Sequence, residues 1–123
     1  MKKIMIIDDE KDLVDFVKIR LEANGYQVVS AYDGEEGVVI CLRENPDLVL
    51  LDILIPKIDG LKVCQALKKG PSTAGIPIIM LTAKDRTEDI KLAREAGADG
   101  YIIKPFDSAT LLLNIKDQLD KVK

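Results

Sequence analysis

Short apolar runs alternate along the chain with longer segments in which apolar residues recur every three or four positions. The short runs have the lengths of strands, and they lie at 4–7, 27–31, 48–51, 77–81 and 101–103. The longer segments predict amphipathic helices at 10–24, 34–44, 60–69, 85–96 and 107–119. In the first of them, Leu13, Phe16, Val17 and Leu21 share one helical face.

Residues that favour helix ends mark several of these boundaries. Asp33 is placed to cap the second helix, with Glu36 three residues later as the return partner of a capping box. Asp107 is placed to cap the last helix. Gly25 and Gly97 follow the first and fourth helices, where a left-handed backbone conformation commonly ends a helix.

The regular alternation of strand and helix predicts the fold class. Five β-α units in sequence indicate an α/β domain with a single doubly wound five-stranded parallel sheet, covered by helices on both faces. Among such sheets we expect the flavodoxin-like (βα)5 arrangement with strand order 2-1-3-4-5. That order is adopted from known folds of this type, because the alternation does not fix it.

Composition limits the classes of protein to consider. The chain has 123 residues, 47% hydrophobic and 32% charged, which fits one globular domain over 1–123. A net charge of −3 gives no overall positive field, so we expect no direct nucleic-acid binding and no membrane association. The first apolar run ends at Asp8, too early for a signal peptide or a membrane span, so we expect a cytoplasmic protein.

The sequence contains no histidine and two cysteines. The lack of histidine excludes histidine acid–base catalysis, histidine metal ligands and a phosphohistidine carrier role within this chain. Cys41 and Cys64 each lie in an apolar helical segment, and neither belongs to a CxxC motif. We expect two buried free thiols rather than a disulfide.

Acidic residues follow two of the predicted strands. Asp8, Asp9 and Glu10 follow the first strand, and Asp52 follows the third. These strands are neighbours in the expected order, so the acids should meet at the carboxyl edge of the sheet. Carboxylates about 4 Å apart repel by roughly 4 kcal/mol at an effective dielectric constant of about 20. A hard divalent cation such as Mg²⁺ would remove that repulsion.

Further polar groups are expected at the same edge. Lys104 follows the fifth strand and adds a positive charge beside the acids. Thr82 follows the fourth strand, and its hydroxyl, with the backbone N–H of Ala83, is suited to holding anion oxygens. A carboxylate nucleophile, a metal, a cation and a hydroxyl are the components that phosphoryl transfer requires.

Four segments together resemble the receiver domain of bacterial and archaeal response regulators. They are Asp8-Asp9-Glu10, residues 52–60, Leu81-Thr82-Ala83 and residues 100–106, and the resemblance covers essentially the whole chain. It implies that Asp52 is the phosphoacceptor. It also implies that Asp8 and Asp9 hold Mg²⁺, helped by Asp52 and the backbone carbonyl of Leu54.

The resemblance implies a conformational switch as well. Thr82 corresponds to the switch hydroxyl, and Tyr101 to the switch aromatic that turns inward in the active state. Lys104 corresponds to the lysine that pairs with the phosphoryl oxygens, and Lys104–Pro105 to a cis peptide bond. The implied partners are a sensor histidine kinase or phosphotransfer protein and an output protein or domain. Such a domain is not a conventional enzyme, since it promotes only its own aspartyl phosphorylation and dephosphorylation.

Two positions bear on how fast a phosphorylated form would decay. Leu54 and Lys84 lie two residues after Asp52 and Thr82. The resemblance implies that both positions border the entry route for hydrolytic water. Leu54 offers no hydrogen bond to that water, so we expect slow self-dephosphorylation.

Three other classes share parts of the pattern. A haloacid-dehalogenase-type phosphatase also uses an aspartate after a strand, but it needs a second aspartate where this chain has Leu54. A flavin- or nucleotide-binding module would need a Gly- or Ser/Thr-rich phosphate loop after the first strand, where this chain has acids. The third class is an interaction domain that works without phosphorylation. In that case, an Asp52→Asn variant would bind its partner as well as the wild type does. The sequence leaves open the cognate kinase, the downstream target, dimerisation, and whether the domain is free-standing.

Overall fold

The computed structural model describes residues 1–83 and 87–122. The strands are β1 (Lys3–Ile7), β2 (Gln27–Ala31), β3 (Leu48–Asp52), β4 (Ile78–Ala83) and β5 (Gly100–Lys104). The helices are α1 (Lys11–Ala23), α2 (Gly34–Glu44), α3 (Gly60–Lys69), α4 (Thr87–Glu95) and α5 (Ser108–Lys121). The strands form one parallel sheet in the order β2-β1-β3-β4-β5, which confirms the predicted fold class and strand order.

Successive residues of each strand supply two separate cores, because their side chains point to opposite faces of the sheet. On one face, Met5, Val49 and Met80 pack with α2, α3 and α4. On the other face, Leu50 and Leu81 pack with α1 and α5. The central strands are therefore buried on both faces, as their continuous apolar runs predict.

The predicted caps are present, with one difference of detail. The N–H of Glu36 donates to Asp33 Oδ1 at 2.8 Å. Glu36 Oε1 accepts a hydrogen bond from the N–H of Tyr32, one residue earlier than a standard capping box requires. Gly25 and Gly97 have φ angles of 87° and 99°, so both occupy the left-handed region where glycine avoids a steric penalty.

Element ends differ from the sequence prediction by one or two residues. β4 begins after Pro77 and continues to Ala83, and β5 extends to Lys104, because Ala83 and Lys104 pair in the ladder. These strand ends are set by backbone pairing, which cannot be predicted from the polarity of the side chains. Asp85, the predicted start of α4, lies outside the described residues, as does Lys84.

Both thiols are buried and free, as predicted. Burial raises the pKa of Cys41 and of Cys64 to about 11, so both stay protonated and unreactive near neutral pH. In the part of the chain that the structure describes, no helix combines the length and apolar character needed to cross a bilayer.

Candidate functional site

A cavity of about 310 Å³ opens at the carboxyl edge of the sheet. Its wall is formed by residues from the ends of β1, β3, β4 and β5 together with the start of α4: Asp9, Glu10, Asp52, Ile53, Leu54, Ala83, Asp89 and Lys104. The position agrees with the expectation that ligands of open α/β sheets bind beyond the carboxyl ends of the strands.

Asp52 is the last residue of β3, and its side chain faces this cavity. The residue is only 7% exposed. Its Oδ1 accepts a hydrogen bond from the N–H of Leu54 at 3.2 Å, and its Oδ2 accepts one from Lys104 Nζ at 3.2 Å. The N–H of Gly60 donates to the carbonyl of Ile53 at 2.8 Å and ties the following loop back to the strand. The backbone thereby fixes the direction in which the carboxylate points.

Asp8 lies beside Asp52 and is completely buried. Its Oδ1 accepts a hydrogen bond from the N–H of Glu10 at 2.9 Å, and its Oδ2 accepts one from Lys104 Nζ at 2.9 Å. Its own N–H donates to the carbonyl of Ala31 at 3.1 Å. A carboxylate buried to this degree requires such partners, since leaving its charge unpaired would be costly.

Lys104 lies among the acids rather than beside them. Its Nζ is 2.9 Å from Asp8 Oδ2, 3.2 Å from Asp52 Oδ2 and 3.3 Å from Glu10 Oε1. Carboxylate oxygens of these three acids lie within 4.8 Å of one another. One ammonium thus compensates part of the repulsion between three carboxylates, and a net negative charge is left.

The electrostatic environment affects Asp52 and Lys104 in different ways. Burial raises the pKa of Asp52, the attraction of Lys104 opposes that rise, and the charge of Asp8 adds to it. For Lys104, burial on its own lowers the pKa, but the contacts with Asp8 and Asp52 outweigh burial and the pKa is raised. Lys104 therefore stays cationic. A further cation nearby would stabilise the ionised form of Asp52.

The donor set fits a hard divalent cation. Clustered carboxylate oxygens are the ligands that Mg²⁺ favours. The three-acid group contains Glu10, whereas the resemblance implied Asp9. Asp9 is exposed and lines the same cavity. Glu10 belongs to the same acidic tripeptide, but the sequence does not predict that its long side chain contacts Lys104. Leu54 also lines the cavity; its observed contact with Asp52 is made by its N–H.

Thr82 lies on β4, and Tyr101 lies on the neighbouring edge strand β5. Thr82 is buried, and its hydroxyl donates to the carbonyl of Ala83 at 3.4 Å. It is in register with Ile103, and Tyr101 is in register with Met80, so Thr82 and Tyr101 lie on the same face of the sheet. Tyr101 is 41% exposed and borders a cavity of about 80 Å³ beside α4. The structure thus shows Tyr101 pointing outward.

Two further observations concern this edge of the sheet. The Lys104–Pro105 peptide bond is cis, as the resemblance implied. Asp89, in the first turn of α4, is buried and lines the same cavity as Asp52. Asp89 carries no distinguishing signal in the sequence, because an acid in the first turn of a helix is common and interacts favourably with the helix dipole.

The chain is similar to known proteins in both sequence and fold. Residues 4–116 match the family model of the response regulator receiver domain. The chain is 42% identical over 116 residues to the DNA-binding dual master transcriptional regulator RpaA of Synechocystis sp.. That alignment covers 94% of this chain and 48% of RpaA, so the chain spans about half the length of this relative.

Solved structures show the same fold. A CheY-like response regulator receiver domain protein from Methanospirillum hungatei is 35% identical, with a TM-score of 0.92, covering 98% of this chain and 95% of that one. The chemotaxis response regulator CheY4 of Vibrio cholerae is 28% identical, with a TM-score of 0.90, covering 95% and 98%. The fold, the site and the family match lead to one conclusion: this chain belongs to the response regulator receiver domain family of two-component systems, whose general activity is phosphorylation-dependent signalling.

Proposed function

We propose that Asp52 is the phosphoacceptor of this receiver domain. The observation that carries the proposal is a nearly buried carboxylate that faces an open cavity, with its Oδ2 3.2 Å from the ammonium of Lys104. A carboxylate oriented by the backbone beside a fixed cation is suited to attack a phosphoryl group, since phosphoryl transfer depends mainly on positioning and charge compensation.

The proposed reaction transfers a phosphoryl group to a carboxylate oxygen of Asp52. An Asp52 oxygen attacks the phosphorus of a phosphohistidine or of acetyl phosphate, and an O–P bond forms. The P–N or P–O bond to the leaving group breaks, and its electron pair leaves with the imidazole nitrogen or the acetate oxygen. Lys104 redirects its hydrogen bonds to the phosphoryl oxygens and compensates their charge. Asp52 is left as an acyl phosphate.

Asp8 and Asp52 would hold Mg²⁺ together with Asp9 at the edge of the cavity, and the Leu54 carbonyl is a further candidate ligand. When bound, Mg²⁺ would neutralise charge on the carboxylates and on the phosphoryl oxygens. Asp8 is held by the N–H of Glu10 and by Lys104, so groups of the protein itself orient this carboxylate.

The phosphorylated state would act on the surface of α4, β5 and α5. The acyl phosphate adds about −1.5 to −2 charges and can recruit one to three charge-assisted hydrogen bonds. Thr82, one residue from the cavity-lining Ala83, would turn towards the phosphoryl group, and Tyr101 would move into the space that Thr82 leaves. The proposed partners are a histidine kinase or phosphotransfer protein and an output protein or domain, all in the cytoplasm.

The test is incubation with acetyl phosphate and millimolar Mg²⁺, followed by intact mass measurement. We expect the mass of one phosphoryl group to be added to the wild-type protein. An Asp52→Asn variant should gain nothing, and EDTA should abolish the gain. Phosphorylation of the Asp52→Asn variant at the wild-type rate would refute the assignment.

Two further assays separate the alternatives. Continuous release of phosphate from phosphate esters would support a phosphatase, although Leu54 places an exposed apolar side chain where that class needs its acid. Normal partner binding by Asp52→Asn would support an interaction domain that works without phosphorylation. We expect neither result: the protein should promote only its own phosphorylation and dephosphorylation.

A further inference from the structure

Glu10 occupies the N-cap position of α1 but does not cap the helix. Its side chain makes no hydrogen bond to the helix backbone. Its backbone is held at both ends, since its N–H donates to Asp8 Oδ1 at 2.9 Å and its carbonyl accepts from the N–H of Val14 at 3.0 Å. The carboxylate extends instead to Lys104, with Oε1 3.3 Å from Nζ. The contact that this side chain makes is therefore with the site and not with its own helix.

The Glu10–Lys104 ion pair lies between two cavities. One is the acidic cavity of about 310 Å³ that contains Asp52. The other is a groove of about 400 Å³ with a mainly apolar lining: Leu13, Phe16, Pro105 and Phe106. Glu10 and Lys104 belong to the wall of both cavities. The Glu10 carboxylate thus stands at the rim of the phosphoacceptor site.

The three acids around Lys104 are not equivalent. The side chains of Asp8 and Asp52 are 0% and 11% exposed, whereas that of Glu10 is 64% exposed. Asp8 and Asp52 are fixed parts of the site floor. Glu10 faces solvent, where an anionic donor must approach, and it binds the ammonium that the phosphoryl oxygens would need. Its charge repels that donor, and its contact competes for Lys104.

We propose that Glu10 is a positioning residue that restrains Lys104 in the resting site and slows the acceptance of anionic phosphodonors. The proposal rests on the proposed function of Asp52 as phosphoacceptor, and it adds a residue that sets the rate. It predicts a specific gain of function when the charge of Glu10 is removed while its size is kept.

The test compares Glu10→Gln with Asp12→Asn at saturating Mg²⁺. Asp12 is an exposed acid in the first turn of α1, two residues further on, so Asp12→Asn removes the same charge without a contact to Lys104. With acetyl phosphate as donor, we expect Glu10→Gln to be phosphorylated about threefold to tenfold faster than the wild type at low salt. Asp12→Asn should change the rate by less than about twofold, because screening weakens more distant charges. Phosphoramidate, a less negative donor, should show a smaller difference.

Binding of inorganic phosphate provides a second measurement that does not need the covalent step. We expect Glu10→Gln to bind phosphate in the presence of Mg²⁺ more tightly than the wild type and Asp12→Asn, as followed by the amide resonances of Leu54 and Ala83. Equal effects of Glu10→Gln and Asp12→Asn in both assays would overturn the proposal, since only general charge would then matter. A slower Glu10→Gln or weaker phosphate binding would also overturn it. If no variant is phosphorylated, the proposed function fails, and the phosphate titration alone decides the role of Glu10.

Discussion

At the scale of single residues, the site is defined by charges that the fold holds close together. Asp52 is nearly buried beside the fully buried Asp8, and Lys104 is the cation that contacts both. Removing one charge therefore affects stability as well as function. Sites that gather like charges commonly lower the stability of the fold that carries them.

Asp52→Asn is expected to stabilise the protein at neutral pH in the absence of divalent ions. Burial raises the pKa of Asp52, so the folded state binds a proton more tightly than the unfolded state does. Stability then falls as the pH rises from the ordinary aspartate range through the raised pKa, and the asparagine variant lacks this loss. We expect a gain on the order of 1 kcal/mol in unfolding free energy at pH 7, measured by urea denaturation.

The gain should shrink in acid, where Asp52 is protonated in both the folded and the unfolded state. Asp12→Asn serves as a control, because this acid is exposed on α1. A clear loss of stability in Asp52→Asn at pH 7 would show that the contact with Lys104 outweighs burial.

Leu54 supports a prediction about how long the phosphorylated state lasts. Its side chain is 56% exposed at the wall of the cavity and cannot orient an attacking water by a hydrogen bond. We expect the Mg²⁺-bound phosphoprotein to decay over minutes rather than seconds. Leu54→Asn should shorten the lifetime, since its amide can hydrogen-bond that water. Decay of the wild type within seconds, followed by intact mass, would contradict the prediction.

At the scale of elements, the start of α3 is packed directly on the end of β3, the strand that carries Asp52. Gly60 is the first residue of α3, and a Cβ there would collide with the carbonyl oxygen of Asp52 and with Cα of Ile53. Its N–H also donates to the carbonyl of Ile53 at 2.8 Å. Only glycine lets the helix approach this closely, so α3 helps to set the direction of Asp52.

Gly60→Ala should therefore affect both the fold and the site. The added methyl group has to displace backbone, which typically costs about 1–3 kcal/mol of unfolding free energy. Because the displaced backbone carries Asp52, phosphorylation by acetyl phosphate should also slow. Gly75→Ala is the matched control: nothing lies within 4 Å of its added Cβ, and its φ is not in the left-handed region. Urea denaturation and intact mass should show a near-neutral effect there, and equal effects of both substitutions would refute the argument.

At the scale of the whole molecule, signalling would require two states of similar free energy. Moving an equilibrium from 1:99 to 99:1 takes about 5.5 kcal/mol of differential stabilisation. New charge-assisted hydrogen bonds from the Thr82 hydroxyl and the Ala83 N–H to a phosphoryl group would be of that order, at roughly 1.5–3 kcal/mol each. In the proposed switch, Tyr101, which points outward on the same face of the sheet as Thr82, would change its position together with Thr82.

Binding of Mg²⁺ should stabilise the whole domain. The three acids keep a net negative charge after the contribution of Lys104, and the unfolded chain does not hold them together. At a Mg²⁺ concentration ten times the dissociation constant, linkage predicts about 1.4 kcal/mol of added stability. Thermal unfolding with Mg²⁺, with EDTA and with NaCl of equal ionic strength would measure it. Asp8→Asn should remove most of the effect, and an equal rise with NaCl would show that only screening is involved.

The sequence alone determined the strands, the helices and many of the site residues, whereas the strand order was adopted from known folds. Short apolar runs predicted the strands, and longer periodic segments predicted the helices. Asp8, Asp52 and Lys104, at or just after the strand ends, were predicted to lie together, as the structure shows. Such features are local, because periodicity, capping and turn preferences depend on residues only a few positions apart.

The tertiary structure decided what depends on contacts between distant residues. It placed Lys104 among the acids, brought Glu10 into contact with it, and put Asp89 in the wall of the same cavity. Glu10 and Lys104 are 94 residues apart in the chain. A long side chain can point in many directions, and which of them it takes is fixed only when the sheet brings β1 and β5 to the same edge.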